Sequence, residues 1–424
     1  MKLQLDLTKE YGLVLEGGGA KGAYQIGAWK ALKEAGVKIK GLSGVSVGAL
    51  NGAMICMDDL AKAEEIWENI SYSQVMDVDD EQMDRLTRRD LKNLNLNSVV
   101  QDALKLIKDK GVDITPLKNM IADLCDEDVI RNSEMDFYIV TYSLSDRQRI
   151  DINAKDVPEG LIPDMLLASA YLPVFKREKL HGKHYMDGGG WDRVPIDSLI
   201  SRGYENIIVL RIFGWGIEKP VKIPGHVQII DIAPRQDLGG ILEFDAARSC
   251  RNMQLGYFDA KRALYGLAGE DYYLDMVLTE EEAYERILPI GKKYLQSIYV
   301  RLEEESRRKA EQKDVGTEAK KWIEEHLEPH IERTLEKLGE KKTDLRRVHE
   351  DILPEMARKL LKNRSWTYTD LYVKCLEQAA SGYGIPVFAI YTEEQLLEQI
   401  SKKRELYMLE GEMLPEWDVL CYER

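Results

Sequence analysis

The feature that most constrains this sequence is a glycine-rich loop between an apolar run and a helical pattern. Residues 12–16 predict a strand, and residues 17–22 (Gly-Gly-Gly-Ala-Lys-Gly) follow it directly. A helix is predicted over residues 23–35, with Gly36 at the position of a C-terminal cap. Strand, loop and helix together direct a row of backbone N–H groups and the positive end of a helix dipole at one spot. The sequence therefore predicts a site that binds negative charge.

Two nucleotide-binding motifs share this glycine pattern, and both lack a second requirement here. Gly17, Gly19 and Gly22 fit G-x-G-x-x-G, but that dinucleotide fingerprint also needs an acidic residue about 20 positions further on, at the end of the second strand. The second strand, predicted over residues 37–42, leads into Ser43 instead. A P-loop needs Gly-Lys followed by Ser or Thr, whereas Lys21 is followed by glycine. The remaining interpretation is an oxyanion hole, which uses the same donors for a developing negative oxygen.

A serine flanked by glycines follows the second strand. Residues 44–48 match G-x-S-x-G, with Gly44 and Gly48 on either side of Ser46, and a helix of small residues comes next. In such a tight strand-to-helix turn, side chains do not fit at the flanking positions, and the serine hydroxyl points outward at the start of the helix. The pattern predicts a nucleophilic serine. The alternative is a glycine-rich turn with a packing serine.

No histidine lies in a motif that would make it the proton acceptor for this serine. Instead, Asp187 begins the turn Asp-Gly-Gly-Gly after a strand-like segment, residues 184–186. An ordinary Asp with a pKa of about 3.9 is a weak base. A partly desolvated site would raise that pKa towards neutrality. The alternative is a tight turn in which Asp serves only its local hydrogen bonds.

In this order and spacing, the three motifs resemble those of the patatin-like phospholipase family. A fourth segment agrees, because residues 168–175 (Ala-Ser-Ala-Tyr-Leu-Pro-Val-Phe) are similar to the family's A-S-x-x-x-P-x-F stretch. The resemblance covers about residues 11–266. It implies a three-layer α/β/α fold and a serine acyl hydrolase that cleaves acyl esters of lipids through a Ser–Asp dyad without histidine.

The resemblance also implies a role for each motif residue. Ser46 would be the nucleophile and Asp187 the base. The oxyanion hole would be formed by the backbone amides of Gly17, Gly18 and Gly19. Motif support is expected from Lys21, Gly22, Gly44, Gly48, Gly188 and Gly189. Glu16 stands where plant members usually carry Asp, and we expect it to support the loop.

Apolar runs of strand length alternate with helical patterns over the first part of the chain. Strands are predicted over residues 12–15, 137–142, 207–212 and 227–232, and the helical stretches between them favour a mostly parallel sheet with helices on both faces. After about residue 270 the glycines thin out and charged helices follow, with one late strand over residues 385–391 and a helix over residues 392–407. We expect a patatin-like catalytic domain over residues 11–266 and a mainly helical, charged region of open role over residues 267–424.

Charge and cysteine usage narrow the classes of partner. The 424 residues include 59 Lys and Arg against 74 Asp and Glu, a net charge of −15, which disfavours nucleic-acid binding. Any contact with a membrane surface would have to be local and mostly apolar. The five cysteines are scattered without a CxxC pair, which suits a reducing compartment. Without a signal-like or membrane-spanning apolar stretch, we expect a cytoplasmic protein, with transient contact at the inner membrane surface left open.

No metal or other cofactor is expected for this chemistry, and the substrate predicted is an acyl ester of a phospholipid or lysophospholipid. Two alternatives remain: a non-enzymatic lipid- or partner-binding protein on the same fold, and a nicotinamide-dependent oxidoreductase that uses the glycine loop. Residues 91–124, between nucleophile and base, are candidates for a lid or acyl channel, or for ordinary core packing. The oligomeric state stays open.

Overall fold

The computed structural model describes residues 1–81, 83, 111–291, 293–294, 349, 352–361 and 365–410. The chain divides into two compact units, Met1–Gly266 and Leu267–Arg424. Much of the charged stretch that predicts helices after residue 300 lies outside the described residues. The proposal that residues 11–266 are catalytic stays a prediction at this stage.

A seven-stranded sheet forms the centre of the first unit. Its order is β4-β3-β2-β1-β6-β7, with β5 paired to β3. Strands β1, β2, β3, β6 and β7 are parallel, whereas β4 and β5 run antiparallel to β3. The predicted mostly parallel sheet is confirmed. In chain order the strands are β1 (Glu10–Leu15), β2 (Lys38–Val45), β3 (Asp136–Ser143), β4 (Gln148–Asn153), β5 (Tyr185–Met186), β6 (Asn206–Leu210) and β7 (Gln228–Ile232).

Helices cover both faces of this sheet. On one face Leu199 packs with Val14 and Val209. On the other, a Cβ added to Gly52 would meet the side chains of Phe137 and Leu15. The helices of the first unit are α1 (Ala23–Glu34), α2 (Val47–Cys56), α3 (Leu60–Glu68), α4 (Tyr72–Val75), α5 (Thr115–Leu124), α6 (Glu127–Asn132), α7 (Ile162–Ser169), α8 (Ile196–Ile200) and α9 (Ala246–Tyr265).

Two differences from the predicted strands have simple causes. β2 runs to Val45 rather than ending at residue 42, because β1 continues the parallel ladder to Gly44 and β3 continues it to Val45. Ser46 therefore follows the strand at once. β4 was not predicted. It pairs with β3 alone, at the edge of the sheet, and none of its residues is fully buried. Its sequence Gln-Arg-Ile-Asp-Ile-Asn therefore lacks the run of apolar residues that marks a central strand.

The second unit is mainly helical, as predicted. Residues 280–291 are helical, and α10 (Leu353–Leu361), α11 (Tyr368–Gly382) and α12 (Glu393–Glu410) follow, with a short parallel pair of strands, β8 (Tyr273–Leu274) and β9 (Ile390–Tyr391). The strand predicted over residues 385–391 is wrong for residues 385–389, where Pro386 has no N–H to give a strand ladder. Among the described residues, no helix combines the length and apolar character needed to cross a membrane.

A buried carboxylate organises the start of this second unit. Glu377 of α11 accepts hydrogen bonds from the backbone N–H groups of residues 270–272, at 2.6, 2.6 and 2.9 Å. Its second oxygen lies 3.2 Å from Nζ of Lys374. One side chain thus satisfies three backbone donors just before β8, which fixes the turn against α11.

We expect Glu377→Ala to lower the free energy of unfolding by about 2–4 kcal/mol, because it strands three N–H donors. Urea unfolding followed by circular dichroism measures the change. The matched control is Glu398→Ala in α12, whose carboxylate is exposed and pairs only with Lys402 among the described residues. A loss no larger than that of the control would contradict the role given to Glu377.

Candidate active site

Ser46 lies at the turn between β2 and α2, in a backbone conformation that non-glycine residues rarely adopt. Its φ and ψ are 55° and −130°, and such strain persists only where the surroundings impose it. The two flanking glycines allow close backbone approach. A Cβ on Gly44 would lie 2.4 Å from the carbonyl oxygen of Gly48, and a Cβ on Gly48 would lie 2.3 Å from that of Leu15. No larger residue fits at either position without a shift of the backbone.

The Ser46 backbone is held by the last residue of α7. The N–H of Ser46 donates to Oγ of Ser169 at 2.9 Å, and this hydroxyl donates in turn to the carbonyl oxygen of Val140 at 2.7 Å. Ser169 therefore links the turn at Ser46 to β3. This serine belongs to residues 168–175, the fourth motif of the sequence analysis.

Asp187 meets Ser46 because β5 extends the sheet past the end of β2. β2 pairs with β3 only as far as Val140, while β5 pairs with β3 further along, at Tyr142 and Ser143. The next residue after β5 is Asp187, which thus lies beyond the carboxyl end of β2. Ser46 follows β2 at this same end of the sheet.

The side chains of Ser46 and Asp187 are directly hydrogen-bonded. Oγ of Ser46 donates to Oδ2 of Asp187 at 2.5 Å, and the N–H of Gly189 donates to Oδ1 at 2.7 Å. The backbone N–H of Asp187 donates to the carbonyl oxygen of Tyr171 at 2.8 Å. Both residues are buried, with 5% and 4% of their surface exposed. The structure thus brings together the predicted nucleophile and the predicted base.

Burial changes the acid strength of Asp187. Desolvation raises the pKa of its carboxyl group from 3.8 to about 6, although the hydrogen bonds from Ser46 and Gly189 oppose the rise. A carboxylate with a pKa near 6 is a better proton acceptor at neutral pH than an ordinary Asp.

Four of the six histidines lie in the described part of the chain, and none of these four is hydrogen-bonded to Ser46 or Asp187. No group of three His, Cys, Asp or Glu among the described residues is arranged to hold a metal ion.

The glycine loop lies beside Ser46, and its three predicted donors are not equivalent. A Cβ on Gly17 would be 3.3 Å from Cβ of Ser46. The N–H of Gly17 already donates to the carbonyl oxygen of Arg193 at 3.0 Å. In the part of the chain that is described, the N–H groups of Gly18 and Gly19 have no acceptor. The N–H of Gly17 thus fixes the loop in this structure, and its contribution to an oxyanion hole stays a prediction.

The fully buried carboxylate of Glu16 supports the glycine loop. Glu16 accepts hydrogen bonds from the backbone N–H groups of residues 212–214, at 2.7, 3.2 and 3.3 Å. The guanidinium groups of Arg193 and Arg211 pair with the same carboxylate at 3.1 and 3.4 Å. The segment after β6 is thereby tied to the end of β1. This is the supporting role expected for Glu16.

A buried polar network behind the loop was not predicted. Nε2 of Gln25 donates to the carbonyl oxygen of Glu16 at 2.8 Å, and Nδ2 of Asn51 donates to that of Gly22 at 2.9 Å and to Oε1 of Gln25 at 2.9 Å. Nε1 of Trp67 donates to Oδ1 of Asn51 at 3.1 Å. The sequence offered one clue, since Gln25 and Asn51 are isolated polar residues within largely apolar helical stretches.

The other predicted support residues lie around the pair without touching it. Nζ of Lys21 donates to the carbonyl oxygen of Phe213 at 2.9 Å, and burial lowers the pKa of this lysine. A Cβ on Gly22 would lie 2.4 Å from Cγ2 of Val47, and one on Gly188 would lie 2.6 Å from the carbonyl oxygen of Val140. Lys21 therefore ties the glycine loop to the segment after β6.

An apolar cavity opens beside Ser46. Gly19 and Ser46 lie on its wall, and most of the rest is formed by α2, α3, α5 and α7 and by the residues that follow α7, while Val75 of α4 and Phe244 also contribute. Side chains that line it include Leu50, Met54, Ile66, Leu117, Ile121 and Leu166. Of the predicted lid or channel segment 91–124, residues 91–110 lie outside the described residues, and Leu117 and Ile121 contribute to this wall.

The comparisons with known proteins agree with the motifs. The family model for patatin-like phospholipase matches residues 13–200. A 47-residue segment is 57% identical to neuropathy target esterase sws of Drosophila sechellia, and the same figures hold for that of Drosophila persimilis. The matched segment is 11% of this chain and only 3% of the Drosophila protein.

Two solved structures can be superposed loosely. VipD from Legionella pneumophila is 14% identical, with a TM-score of 0.37 over 97% of this chain and 89% of that chain. The type III effector protein ExoU is 16% identical, with a TM-score of 0.29 over 97% and 77%. Residues 13–200 thus match the patatin-like phospholipase family, as the motif order predicted.

We expect Ser169→Ala to lower the free energy of unfolding by about 1–3 kcal/mol, because it leaves the buried N–H of Ser46 and carbonyl of Val140 without their partner. Urea unfolding measures the loss. The matched control is Ser201→Ala, which removes an exposed hydroxyl bonded to the carbonyl oxygen of Ser198. Equal effects of the two substitutions would show that Ser169 does not hold the turn.

Proposed function

We propose that this protein is a serine acyl hydrolase that cleaves acyl esters of phospholipids or related lipids through a Ser46–Asp187 dyad. The observation that carries the proposal is the 2.5 Å hydrogen bond between Oγ of Ser46 and Oδ2 of Asp187. It joins two buried side chains at the edge of an apolar cavity. The family of residues 13–200 supplies the reaction class, and the geometry supports these two residues as its centre.

The first half of the reaction forms an acyl-enzyme. Oγ of Ser46 attacks the carbonyl carbon of the ester while Asp187 accepts the hydroxyl proton. A C–O bond forms and the carbonyl oxygen becomes negative. When the tetrahedral intermediate collapses, the bond to the alcohol breaks and the alcohol leaves with the proton held by Asp187. The raised pKa of Asp187 suits both directions of this transfer near neutral pH.

The second half returns the enzyme to its resting state. Asp187 takes a proton from water as the water oxygen attacks the acyl carbon. Collapse of this intermediate breaks the bond to Oγ, and Ser46 regains its proton from Asp187. The products are the fatty acid and the free enzyme, and no further reactant is needed.

The negative oxygen of each intermediate would be stabilised by the N–H groups of Gly18 and Gly19. These donors are unpaired among the described residues, and Gly19 lies on the cavity wall beside Ser46. α2 begins at Val47, so its positive dipole end points at the same place. Gly19 has φ +56°, and a Cβ there would be 2.1 Å from the carbonyl oxygen of Ile241. Only glycine allows this approach.

The cavity supports a lipid acyl group as the part of the substrate that is recognised. Its walls are Leu, Ile, Met and aromatic side chains, which exclude a charged group but accept a hydrocarbon chain. The ester carbonyl would then lie at the mouth, next to Ser46, and the alcohol portion outside it. This arrangement divides the substrate at the bond to be cleaved.

We expect a fluorophosphonate probe to form one adduct on the wild type and none on Ser46→Ala. Labelling of Asp187→Asn should be at least about 100-fold slower, because the Ser46 hydroxyl then lacks its base. Intact mass against time measures each rate. Ser201→Ala is the control and should be labelled like the wild type. A single adduct that persists in Ser46→Ala, or no adduct on folded wild type, would contradict the proposal and favour a binding protein.

The pH profile tests the base separately. Asp187 must be ionised to accept a proton, so we expect kcat/KM for a soluble short-chain ester to fall about tenfold per unit below the raised pKa of about 6 and to level off above it. The profile is measured between about pH 4.5 and pH 8, within the range where the fold is retained. Residual activity of Asp187→Asn should lack this inflection. A profile that stays nearly flat down to about pH 4.5, as an ordinary Asp with a pKa of about 3.9 would give, would contradict the assignment of the base.

A further inference from the structure

The connection between β6 and β7 is unusually long and irregular. Residues 211–227 contain neither helix nor strand, although β6 and β7 are adjacent and parallel. Parallel neighbours are usually joined by a helix. Loops of more than about 12–15 residues without secondary structure are uncommon in compact domains unless they have a function. Residues 211–227 are therefore expected to have a function.

The segment exposes large apolar side chains. Phe213, Trp215, Ile217 and Ile223 have 48%, 59%, 53% and 48% of their surface exposed, and Trp191, two residues before Arg193, has 38%. These five residues are called the apolar rim below. Phe213 also has a φ of +47°, a conformation that is costly for an aromatic residue. Exposed apolar clusters of this kind mark surfaces that bind something.

The apolar rim is fixed to both loops of the candidate active site. The N–H of Ile217 donates to the carbonyl oxygen of Gly189 at 3.0 Å, and the N–H of Arg193 donates to that of Ile217 at 2.7 Å. On the other side, Gly214 is so close to the glycine loop that an added Cβ would lie 1.9 Å from the carbonyl oxygen of Gly17. The rim is therefore a rigid border of the site.

The rim residues do not belong to the cavity that would receive the acyl chain. Within the described residues, none of the five lines that cavity. Trp191 is stacked on Tyr142, with ring centroids 5.1 Å apart, so its ring is held in place although partly exposed. The rim thus presents apolar surface outward next to the Ser46–Asp187 pair.

The charges around the rim differ from those of the whole chain, whose net charge is −15. The carboxylate of Glu218 is neutralised by ion pairs with Arg193 at 2.6 Å and Arg211 at 2.7 Å. Nζ of Lys219 lies 3.1 Å from the centroid of the Trp191 ring. Lys222 is exposed, and neither lysine pairs with a carboxylate in the described part of the chain. The carboxylate of Asp192 beside the rim is buried, so, among the described residues, the charges at the rim that lack an ion-pair partner and are open to solvent are those of the lysines.

We propose that the apolar rim is a docking surface for an anionic phospholipid bilayer. Trp and other apolar side chains enter the boundary between headgroups and acyl chains, while lysines next to them attract lipid phosphates. The choice of a lipid surface rests on the proposed function, because a bilayer held at the rim would present its esters beside Ser46. An anionic bilayer also fits the combination of aromatic and basic side chains found here, namely Trp191, Trp215, Lys219 and Lys222.

The test measures binding without catalysis. In a Ser46→Ala background, the protein is sedimented with vesicles of phosphatidylcholine alone or with about one third phosphatidylglycerol, and we expect binding to the anionic vesicles to be stronger. Adding Trp215→Ser and Ile217→Ser should weaken that binding about tenfold or more, because two inserted side chains are lost. The matched control adds Val129→Ser and Val277→Ser, two exposed apolar residues elsewhere in the chain, and should bind like its parent.

A charge variant tests the second component. Lys222→Glu should weaken binding to the anionic vesicles about fivefold or more and leave binding to neutral vesicles unchanged. The inference is overturned if the parent fails to sediment with anionic vesicles, or if the rim variant binds like the control. It is also overturned if the rim substitutions instead abolish a dimer seen by size exclusion, since the rim would then join two copies of the chain.

The two proposals fail in different ways. Vesicle binding by the Ser46→Ala protein does not require an active serine, and fluorophosphonate labelling of the wild type does not require a membrane. Labelling without vesicle binding would remove the docking surface and keep the hydrolase. Vesicle binding without labelling would remove the hydrolase and leave a lipid-binding protein.

Discussion

The hydrogen bond between the Ser46 hydroxyl and the buried Asp187 carboxylate is the interaction on which the rest of the site depends. Burial makes the carboxylate basic, but it also lowers stability. Because the folded-state pKa is raised from 3.8 to about 6, stability falls as pH rises through this interval, by about 3 kcal/mol in all. This is the net effect, because among the described residues the hydrogen bonds from Ser46 and from the N–H of Gly189 already oppose the rise in pKa. A buried carboxylate with a strongly shifted pKa is typical of a functional site.

Arg193 connects the parts that keep this pair in place. Its carbonyl oxygen accepts from Gly17, its N–H donates to Ile217, and its guanidinium contacts Glu16 and the carbonyl oxygen of Gly214. The glycine loop, the end of β1 and the segment after β6 therefore all contact one residue, through its backbone or its side chain. A displacement of any of them would move the free N–H groups beside Ser46. The geometry of the site is a property of this network more than of the Ser46–Asp187 pair.

Local backbone requirements explain which parts could be predicted from the sequence. The turn at Ser46 and the loop at Gly19 need glycine at fixed spacings, so the motifs and their order were visible. The bond from Gly17 to Arg193 was not, because it joins residues far apart in the chain and involves only backbone atoms. The edge strand β4 and the irregular segment at Pro386 were not predicted correctly for a related reason. Their conformation is set by neighbours in space and not by an apolar pattern.

The end of the sheet that holds Ser46 and Asp187 combines several features that weaken a fold. A strained serine, a buried carboxylate, an apolar cavity and the exposed apolar rim all lie there. Departures from local stability that accumulate in one place are typical of functional sites. The cavity and the apolar rim both offer contacts to hydrocarbon, and both lie next to the Ser46–Asp187 pair. Under the proposed function, a substrate that satisfies both would be amphipathic, with its hydrocarbon buried, its ester at Ser46 and its polar end with the lysines outside.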